Sequence, residues 1–125
     1  MKYKFEITKR LLGYNEYNNL NRKNKYSGNT AKKKEEEYIY WCIREQLGNI
    51  KIEKPVKIYF TWIEENNKRD LDNICFAKKF ILDAMQKAEL IENDNSKHVT
   101  GFTDDFKYAD KSKVIVELEE IEDEK

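Results

Sequence analysis

Two aspartates, Asp70 and Asp72, are separated by one residue in the segment KRDLDN. In an extended segment, side chains two residues apart point to the same side, so these carboxylates can converge. Carboxylates held that close repel each other, and a hard divalent cation such as Mg²⁺, which prefers oxygen ligands, relieves the repulsion. The pair therefore indicates a metal site. The structural alternative is that Asp72 is a helix N-cap and Asp70 an exposed turn residue.

A helix predicted from Asp72 to about Glu89 would carry a lysine toward these carboxylates. At roughly 100° per residue, Lys79 lies about 20° from the face of Asp72 and about 10 Å along the axis. Its side chain leans back toward the helix N-terminus, and Asp83 falls on the same stripe. Lys78 is turned about 120° away from Asp72. The spacing therefore favours Lys79. The opposite stripe is apolar and is predicted to be core: Ile74, Ala77, Ile81, Ala84, Met85 and Ala88.

The turn ENDNS follows this helix and presents Asp94. It lacks the central Gly and the distal Glu of an EF-hand loop, which excludes calcium binding of that kind. The alternative is a turn that is rich in Asn and Asp for conformational reasons alone.

The basic residues are concentrated near the N-terminus, although the whole chain has no net charge. Residues 1–34 carry ten basic and two acidic side chains, residues 35–100 carry ten and thirteen, and residues 101–125 carry four and nine. A basic segment with tyrosines among its charges could follow a phosphate backbone. The alternative is a solvated segment whose charge balances the acidic tail at about 119–125.

The motifs KRDLDN, AKKFILDAMQKAELI and ENDNSK resemble those of the RusA-type Holliday junction resolvases. Upstream, GYNEY, RKNKY and the KKK cluster are similar to the basic N-terminal half of the Gram-positive and prophage branch of that family. The resemblance covers most of residues 10–118. The sequence departs from the family at Asn93, where an acidic residue is common, and in a longer segment between Ile74 and Lys78.

The resemblance implies a magnesium-dependent endonuclease that acts as a homodimer on branched DNA such as a four-way junction. Its metal ligands correspond to Asp70, Asp72 and Asp94, its catalytic lysine corresponds to Lys79, and Mn²⁺ is expected to substitute for Mg²⁺. Such a nuclease needs no small-molecule cofactor. With the charge pattern, the resemblance predicts the following DNA contacts: Arg10, Asn15, Arg22, Lys23, Lys25, Lys32, Lys33, Lys34, Lys68 and Arg69.

The elements that must position these residues suggest a small α+β domain with a two-layer arrangement in the order β-α-β-α-β-β. We expect residues 1–125 to form one domain with a mixed sheet and two main helices. The predicted strands cover 2–8, 55–63, 99–102 and 114–118, and the helices cover 30–48, with Thr30 as N-cap, and 72–89. Residues 9–29 are predicted to be a long basic connection, within which Asn15 caps a short turn.

Other classes of protein are disfavoured by the composition. No apolar run approaches a membrane span or a signal peptide, so we expect a cytoplasmic protein. Cys42 and Cys75 form no CxxC pair and are expected to be reduced thiols. Phe76 and Phe80 are candidates for a dimer interface or for burial under a loop. The rival functions are a DNA-binding protein that does not cut and an intracellular interaction protein.

Overall fold

The computed structural model, which describes residues 1–121, has four strands, and in three of them apolar residues alternate with polar ones. The strands are β1 (Lys2–Ile7), β2 (Val56–Glu64), β3 (Val99–Tyr108) and β4 (Lys113–Glu120). Their order in the sheet is β1-β4-β2-β3; β2 and β3 are parallel, and the other neighbours are antiparallel. The sheet is therefore mixed, as predicted, and β3 forms one of its edges.

Four helical segments complete the fold: α1 (Tyr14–Lys23), α2 (Lys25–Leu47), α3 (Leu71–Cys75) and α4 (Lys78–Lys87). Helix α2 packs against β1, and both α1 and α4 pack against α2. The short α3 and α4 form the crossover that a parallel pair such as β2 and β3 requires. The helices and one face of the sheet share a single apolar cluster. The predicted two-layer α+β fold is therefore confirmed.

The core follows the sequence pattern closely. The residues predicted as the apolar stripe of the second helical region, Ile74, Ala77, Ile81, Ala84, Met85 and Ala88, are all buried. They face the alternating buried residues of β2, which include Ile58, Phe60 and Trp62. Burial of these side chains supplies the main driving force that holds the helices on the sheet.

The prediction of a long connection over residues 9–29 is wrong, because that segment contains α1 and the first turns of α2. Asn24 separates the two helices with an extended backbone, and its side chain accepts a hydrogen bond from the Ser27 N–H at 2.7 Å. The N-cap of α2 is thus Asn24 and not Thr30. The end was predicted well, since α2 stops at Leu47 and Gly48 follows with φ of +63°.

The predicted helix from Asp72 to Glu89 is also interrupted. Phe76 and Ala77 form a turn between α3 and α4, in which the N–H groups of Ala77, Lys79 and Phe80 bond to carbonyls three residues back. Such bonds tighten the turn relative to an α-helix and change which way the later side chains point.

The last two strands are longer than predicted, since β3 continues to Tyr108 and β4 to Glu120. Residues 119 and 120 of the predicted acidic tail therefore belong to β4, while residues 122–125 lie outside the described residues. Within residues 1–121, no helix is both long enough and apolar enough to cross a bilayer.

Candidate active site

Asp70 and Asp72 line the same open cleft at the start of α3. Asp70 is the N-cap residue, with extended backbone angles, and Asp72 lies in the first turn. The cleft has a volume of about 370 Å³, and its other lining residues are Tyr14, Asn15, Asn73, Cys75 and Phe76. Both aspartates are exposed. The structure thus places the two carboxylates together, facing solvent beside aromatic and amide side chains.

A buried ion pair fixes the chain immediately before Asp70. Arg69 donates from Nε and Nη2 to the two carboxylate oxygens of Glu64, at 2.9 and 2.8 Å, and both side chains are about nine-tenths buried. Its Nη1 donates to the Leu11 carbonyl at 3.1 Å and lies 3.4 Å from the carboxylate of Glu16. The guanidinium predicted to contact DNA is therefore occupied within the protein, where it joins the end of β2 to the entry of α1.

The first turn of α1 docks directly onto Asn73. The Asn73 side chain accepts a hydrogen bond from the Asn15 N–H at 2.9 Å, which satisfies one of the free donors of the helix N-terminus. A Cβ at Gly13 would lie 2.6 Å from Asn73 Oδ1, 2.8 Å from Arg69 Nη1 and 2.9 Å from the Asn73 carbonyl. Glycine is therefore required for this close approach, which brings Tyr14 and Asn15 to the cleft.

Glu16 supports the same junction from within α1. Its carboxylate accepts hydrogen bonds from the Gly13 N–H and from Arg10, both at 3.1 Å. Partial burial opposes ionisation, but the hydrogen bonds from Arg10 and Gly13 and the charges of Arg10 and Arg69 outweigh it and lower the pKa of Glu16.

Phe80 is buried and Phe76 is half-buried beside α1, so Phe80 is not available to a dimer interface, and a role of Phe76 there stays a prediction. Tyr17 lies 5.6 Å from each ring, Tyr14 lies 5.3 Å from Phe76, and the two phenylalanines meet edge to face at 5.7 Å. This aromatic cluster attaches α1 to α3 and α4.

Lys79 forms an ion pair on its own helix, α4, and its predicted catalytic role beside Asp70 and Asp72 stays a prediction. Lys79 lies 3.3 Å from Asp83 and is 59% exposed, and Asp83 in turn pairs with Lys32 of α2. No ion pair within residues 1–121 connects Lys79 with Asp70 or Asp72. The prediction assumed one continuous helix, whereas α4 begins at Lys78, after the turn at 76–77.

The neighbouring Lys78 points toward the sheet and to a residue that the sequence did not indicate. Its ammonium group donates to Asp104 of β3 at 2.8 Å. Burial and the charges of Asp104 and Asp72 raise the pKa of the Cys75 thiol, against the opposing charge of Lys78. Cys75, which lines the cleft, thus has both Asp72 and the Lys78–Asp104 pair among its charged neighbours. The position of Asp104 beside Lys78 could be recognised only once the pairing register of β2 and β3 was known.

Asp94 does not line this cleft. It is half-buried in the turn before β3, where Asn93 and Asn95 accept hydrogen bonds from backbone N–H groups two residues further on. Its predicted role as a third ligand beside Asp70 and Asp72 stays a prediction.

The two carboxylates at the cleft fit a magnesium ion whose other ligands are water and substrate phosphate. Within the described residues, no group of three or more His, Cys, Asp or Glu side chains is arranged to hold a metal. However, Mg²⁺ is commonly bound by one or two carboxylates, with water and substrate phosphate completing its octahedron. Asp70 and Asp72 satisfy that requirement.

Some of the predicted DNA-binding residues are exposed without an ion-pair partner within residues 1–121, and others already pair with carboxylates of the protein. Arg22, Lys23, Lys25, Lys33, Lys34 and Lys68 are exposed and make no ion pair within residues 1–121. Lys32 is held between Glu36 and Asp83, whose charges raise its pKa although burial opposes this. Arg10 pairs with Glu16. Asn15 remains exposed at the cleft.

Comparison of the chain with protein-family models and with curated proteins gives no match. The resemblance to RusA-type resolvases therefore depends on the quoted motifs alone and remains a hypothesis.

Proposed function

We propose that the protein is a metal-dependent endonuclease that cuts branched DNA, such as a four-way junction, by hydrolysing phosphodiester bonds. The observation that supports this proposal most directly is the pairing of Asp70 and Asp72 in one solvent-open cleft. Within residues 1–121, neither carboxylate has an ion-pair partner. Both carboxylates are exposed, and although Asp72 Oδ1 accepts a hydrogen bond from the Asn73 N–H at 3.0 Å, a divalent cation bound between the two would relieve their mutual repulsion.

In this proposal Asp70 and Asp72 hold Mg²⁺, and Mn²⁺ can replace it. The bound metal would neutralise charge on the phosphate and lower the pKa of a water molecule. The protein's own contribution is to fix the two carboxylates: the Arg69–Glu64 pair holds the chain before Asp70, and Asn73 joins the cleft to α1. Tyr14, Asn15 and Phe76 offer polar and aromatic surface to the DNA.

The basic residues continue from the cleft along α1. This helix begins at Tyr14, beside the cleft, and ends at Lys23, about 15 Å away for ten residues. Arg22, Lys23 and Lys25 form an exposed cluster at that far end, which we name the basic tip. A DNA backbone placed at the cleft could reach the basic tip within a few nucleotides. A homodimer would then provide the two sites that paired, symmetric nicks require.

The alternative is a junction-binding protein that does not cut. One observation favours it: the described residues provide two carboxylates at the cleft, but no group of three potential ligands.

The variant Asp72→Asn separates the two functions. We expect it to abolish nicking of a synthetic four-way junction in Mg²⁺, because it removes a metal ligand. Junction binding should be kept or strengthened, because one charge repelling the phosphates is removed. Nicking is read on a denaturing gel and binding by gel shift without divalent metal. Asp105→Asn, an exposed aspartate of β3, is the matched control and should nick normally.

Nicking by Asp72→Asn at the wild-type rate would exclude Asp72 as a ligand. Tight junction binding by the wild type without any nick, in Mg²⁺ and in Mn²⁺, would establish the alternative function.

A further inference from the structure

A groove between α2 and α4 is distinct from the cleft of Asp70 and Asp72, since the two share no lining residue. The groove is open to solvent and has a volume of about 410 Å³. Three lysines from the two helices line it together with one amide and two carboxylates: Lys32, Lys33, Lys87, Asn29, Glu36 and Asp83.

Glu36 is a buried carboxylate that pairs with two of these lysines. It is 3% exposed, and its Oε1 accepts a hydrogen bond from Lys87 Nζ at 2.6 Å. Its Oε2 lies 3.7 Å from Lys32 Nζ and, within residues 1–121, accepts no hydrogen bond. A buried carboxylate oxygen without a hydrogen bond costs free energy, so a gain in stability does not explain why Glu36 lies there.

The charge that the groove presents to solvent is positive. The side chains of Glu36 and Asp83 are 4% and 19% exposed, whereas those of Lys32 and Lys87 are 37% and 56% exposed. Lys33 is exposed as well. A lysine ammonium has three donors, so an ion pair with a carboxylate leaves donors free for an anion from solvent.

The groove continues the basic surface of the α1–α2 hairpin. Lys25 of the basic tip begins α2, and Lys32 lies seven residues further, about 10 Å along the helix axis. On the other helix, Lys87 ends α4, about 15 Å from its start, which lies two residues after Phe76 of the cleft. Each DNA strand carries one phosphate per about 3.4 Å of axis, so a backbone that passes the cleft can present another phosphate to the groove.

We propose that the α2–α4 groove binds a backbone phosphate of the DNA outside the cleft, and that Glu36 is a positioning residue that holds Lys32 and Lys87 toward it. The inference rests on the proposed function for the identity of the ligand. It adds Lys87, which the sequence did not indicate, to the predicted contacts Lys32 and Lys33.

The first test measures the affinity for a four-way junction at several salt concentrations without divalent metal. Lys33→Gln/Lys87→Gln removes two exposed charges of the groove. We expect binding to weaken by about tenfold, and the slope of log affinity against log salt to fall by about 0.9 for each phosphate no longer neutralised. Lys107→Gln/Lys111→Gln is the matched control, with both lysines exposed on β3 or between β3 and β4, and should bind as the wild type does. Equal affinities of the two double variants would overturn the proposal.

Glu36→Gln separates positioning from charge. Because it removes a negative charge from the groove, charge alone would strengthen DNA binding. The loss of the carboxylate also releases Lys32 and Lys87, and we expect this loss of preorganisation to weaken junction binding by about threefold. In the background Lys32→Gln/Lys87→Gln the same change should weaken binding no further, because neither ammonium remains to be positioned.

Tighter binding by Glu36→Gln than by the wild type would overturn the positioning role, and so would equal weakening in both backgrounds. Thermal unfolding shows whether each variant folds. Should Glu36→Gln fail to fold, the comparison of the two exposed double variants still decides whether the groove binds DNA.

Inorganic phosphate distinguishes a backbone phosphate from a free phosphate ion. We expect about 1 mM phosphate at constant ionic strength to leave the Tm of the wild type unchanged, because the free ion lacks the further contacts of DNA. An increase in Tm that Lys33→Gln/Lys87→Gln abolishes would assign the groove to the free ion and overturn the proposal.

The outcomes also separate this inference from the function on which it rests. A wild type that binds and nicks the junction, with equal affinities of the two double variants, would overturn the inference alone. A wild type that binds without nicking, with the expected weakening by Lys33→Gln/Lys87→Gln, would overturn the nuclease proposal alone. No binding of the junction by the wild type would overturn both.

Discussion

At the scale of single residues, the candidate site depends on two charged groups that are themselves buried. Arg69 and Glu64 lie about nine-tenths buried beneath the exposed Asp70, joined by two hydrogen bonds. Two buried charges cost desolvation free energy, so the pair holds the loop in place only while both members are present. In the motif KRDLDN, Arg69 is therefore an internal structural residue, whereas Asp70 and Asp72 are exposed. The sequence pattern alone does not show this difference.

Arg69→Met should lower the free energy of unfolding by about 3–5 kcal/mol, because it leaves the Glu64 carboxylate buried without a partner. Urea unfolding measures the change. Arg10→Met is the control: Arg10 forms an exposed pair with Glu16, and its removal should cost at most about 1 kcal/mol. Equal effects of the two changes would contradict the structural role of Arg69.

Glu16 predicts a specific dependence of stability on acid. Because its pKa is lowered in the folded state, its contribution is present above its unfolded pKa and disappears as the pH falls through its folded pKa. Wild-type stability should therefore fall more steeply than that of Glu16→Gln as the pH is lowered below about 4.5. Urea unfolding between pH 6 and pH 3 would show this, and parallel curves for the two proteins would exclude it.

At the scale of secondary-structure elements, the periodicity of apolar residues in the sequence predicted most of the strands and helices. The first two strands, the apolar stripe of α3 and α4 and the end of α2 were placed correctly, and the last two strands were found but predicted too short. The break at Phe76 and Ala77 was missed because its residues are apolar and include no Gly or Pro, so the hydrophobic pattern runs through it. Tertiary packing of Phe76 on Tyr14 and Tyr17 accompanies the break, and such packing has no local signal.

Helix α1 was missed for a different reason. Its composition, with several asparagines, is typical of a loop, whereas its apolar side chains Tyr14, Tyr17 and Leu20 recur every three residues. Its stability comes from tertiary interactions, namely the aromatic cluster with Phe76 and Phe80 and the hydrogen bond to Asn73. The shared cleft of Asp70 and Asp72 could therefore be predicted from their spacing, but the contact between Lys78 and Asp104 required the fold.

Gly13→Ala tests the docking of α1. The added methyl group would meet Asn73 and Arg69 at under 3 Å, so we expect the free energy of unfolding to fall by about 1–3 kcal/mol. Gly101→Ala is the matched control, since nothing lies within 4 Å of its Cβ position. Thermal unfolding of both variants gives the comparison; an unaffected Gly13→Ala would show that α1 does not depend on this close approach.

At the scale of the whole molecule, basic residues are concentrated near the N-terminus and acidic residues near the C-terminus, although the net charge is zero. The basic tip stands at the end of the α1–α2 hairpin, while β4 and the end of the chain are acidic. DNA bound at the basic tip would release condensed counterions, so we expect the affinity of the protein for DNA to fall with salt.

Replacing Arg22, Lys23 and Lys25 by Ala should weaken junction binding and reduce the slope of log affinity against log salt. The slope should fall by about 0.9 for each phosphate that the variant no longer neutralises. A control with the same change of charge replaces Lys4, Lys57 and Lys107, which lie on β1, β2 and β3 and are exposed or half-buried. Gel shifts at several salt concentrations should leave the control slope at the wild-type value. Equal slopes for both triple variants would place the DNA elsewhere.

The most direct test of the account is the action of the wild-type protein on a synthetic four-way junction, read on a denaturing gel. The account predicts paired, symmetric nicks in Mg²⁺, none on linear duplex of the same sequence, and none when the metal is chelated. Binding of the junction without nicks in either Mg²⁺ or Mn²⁺ would contradict it.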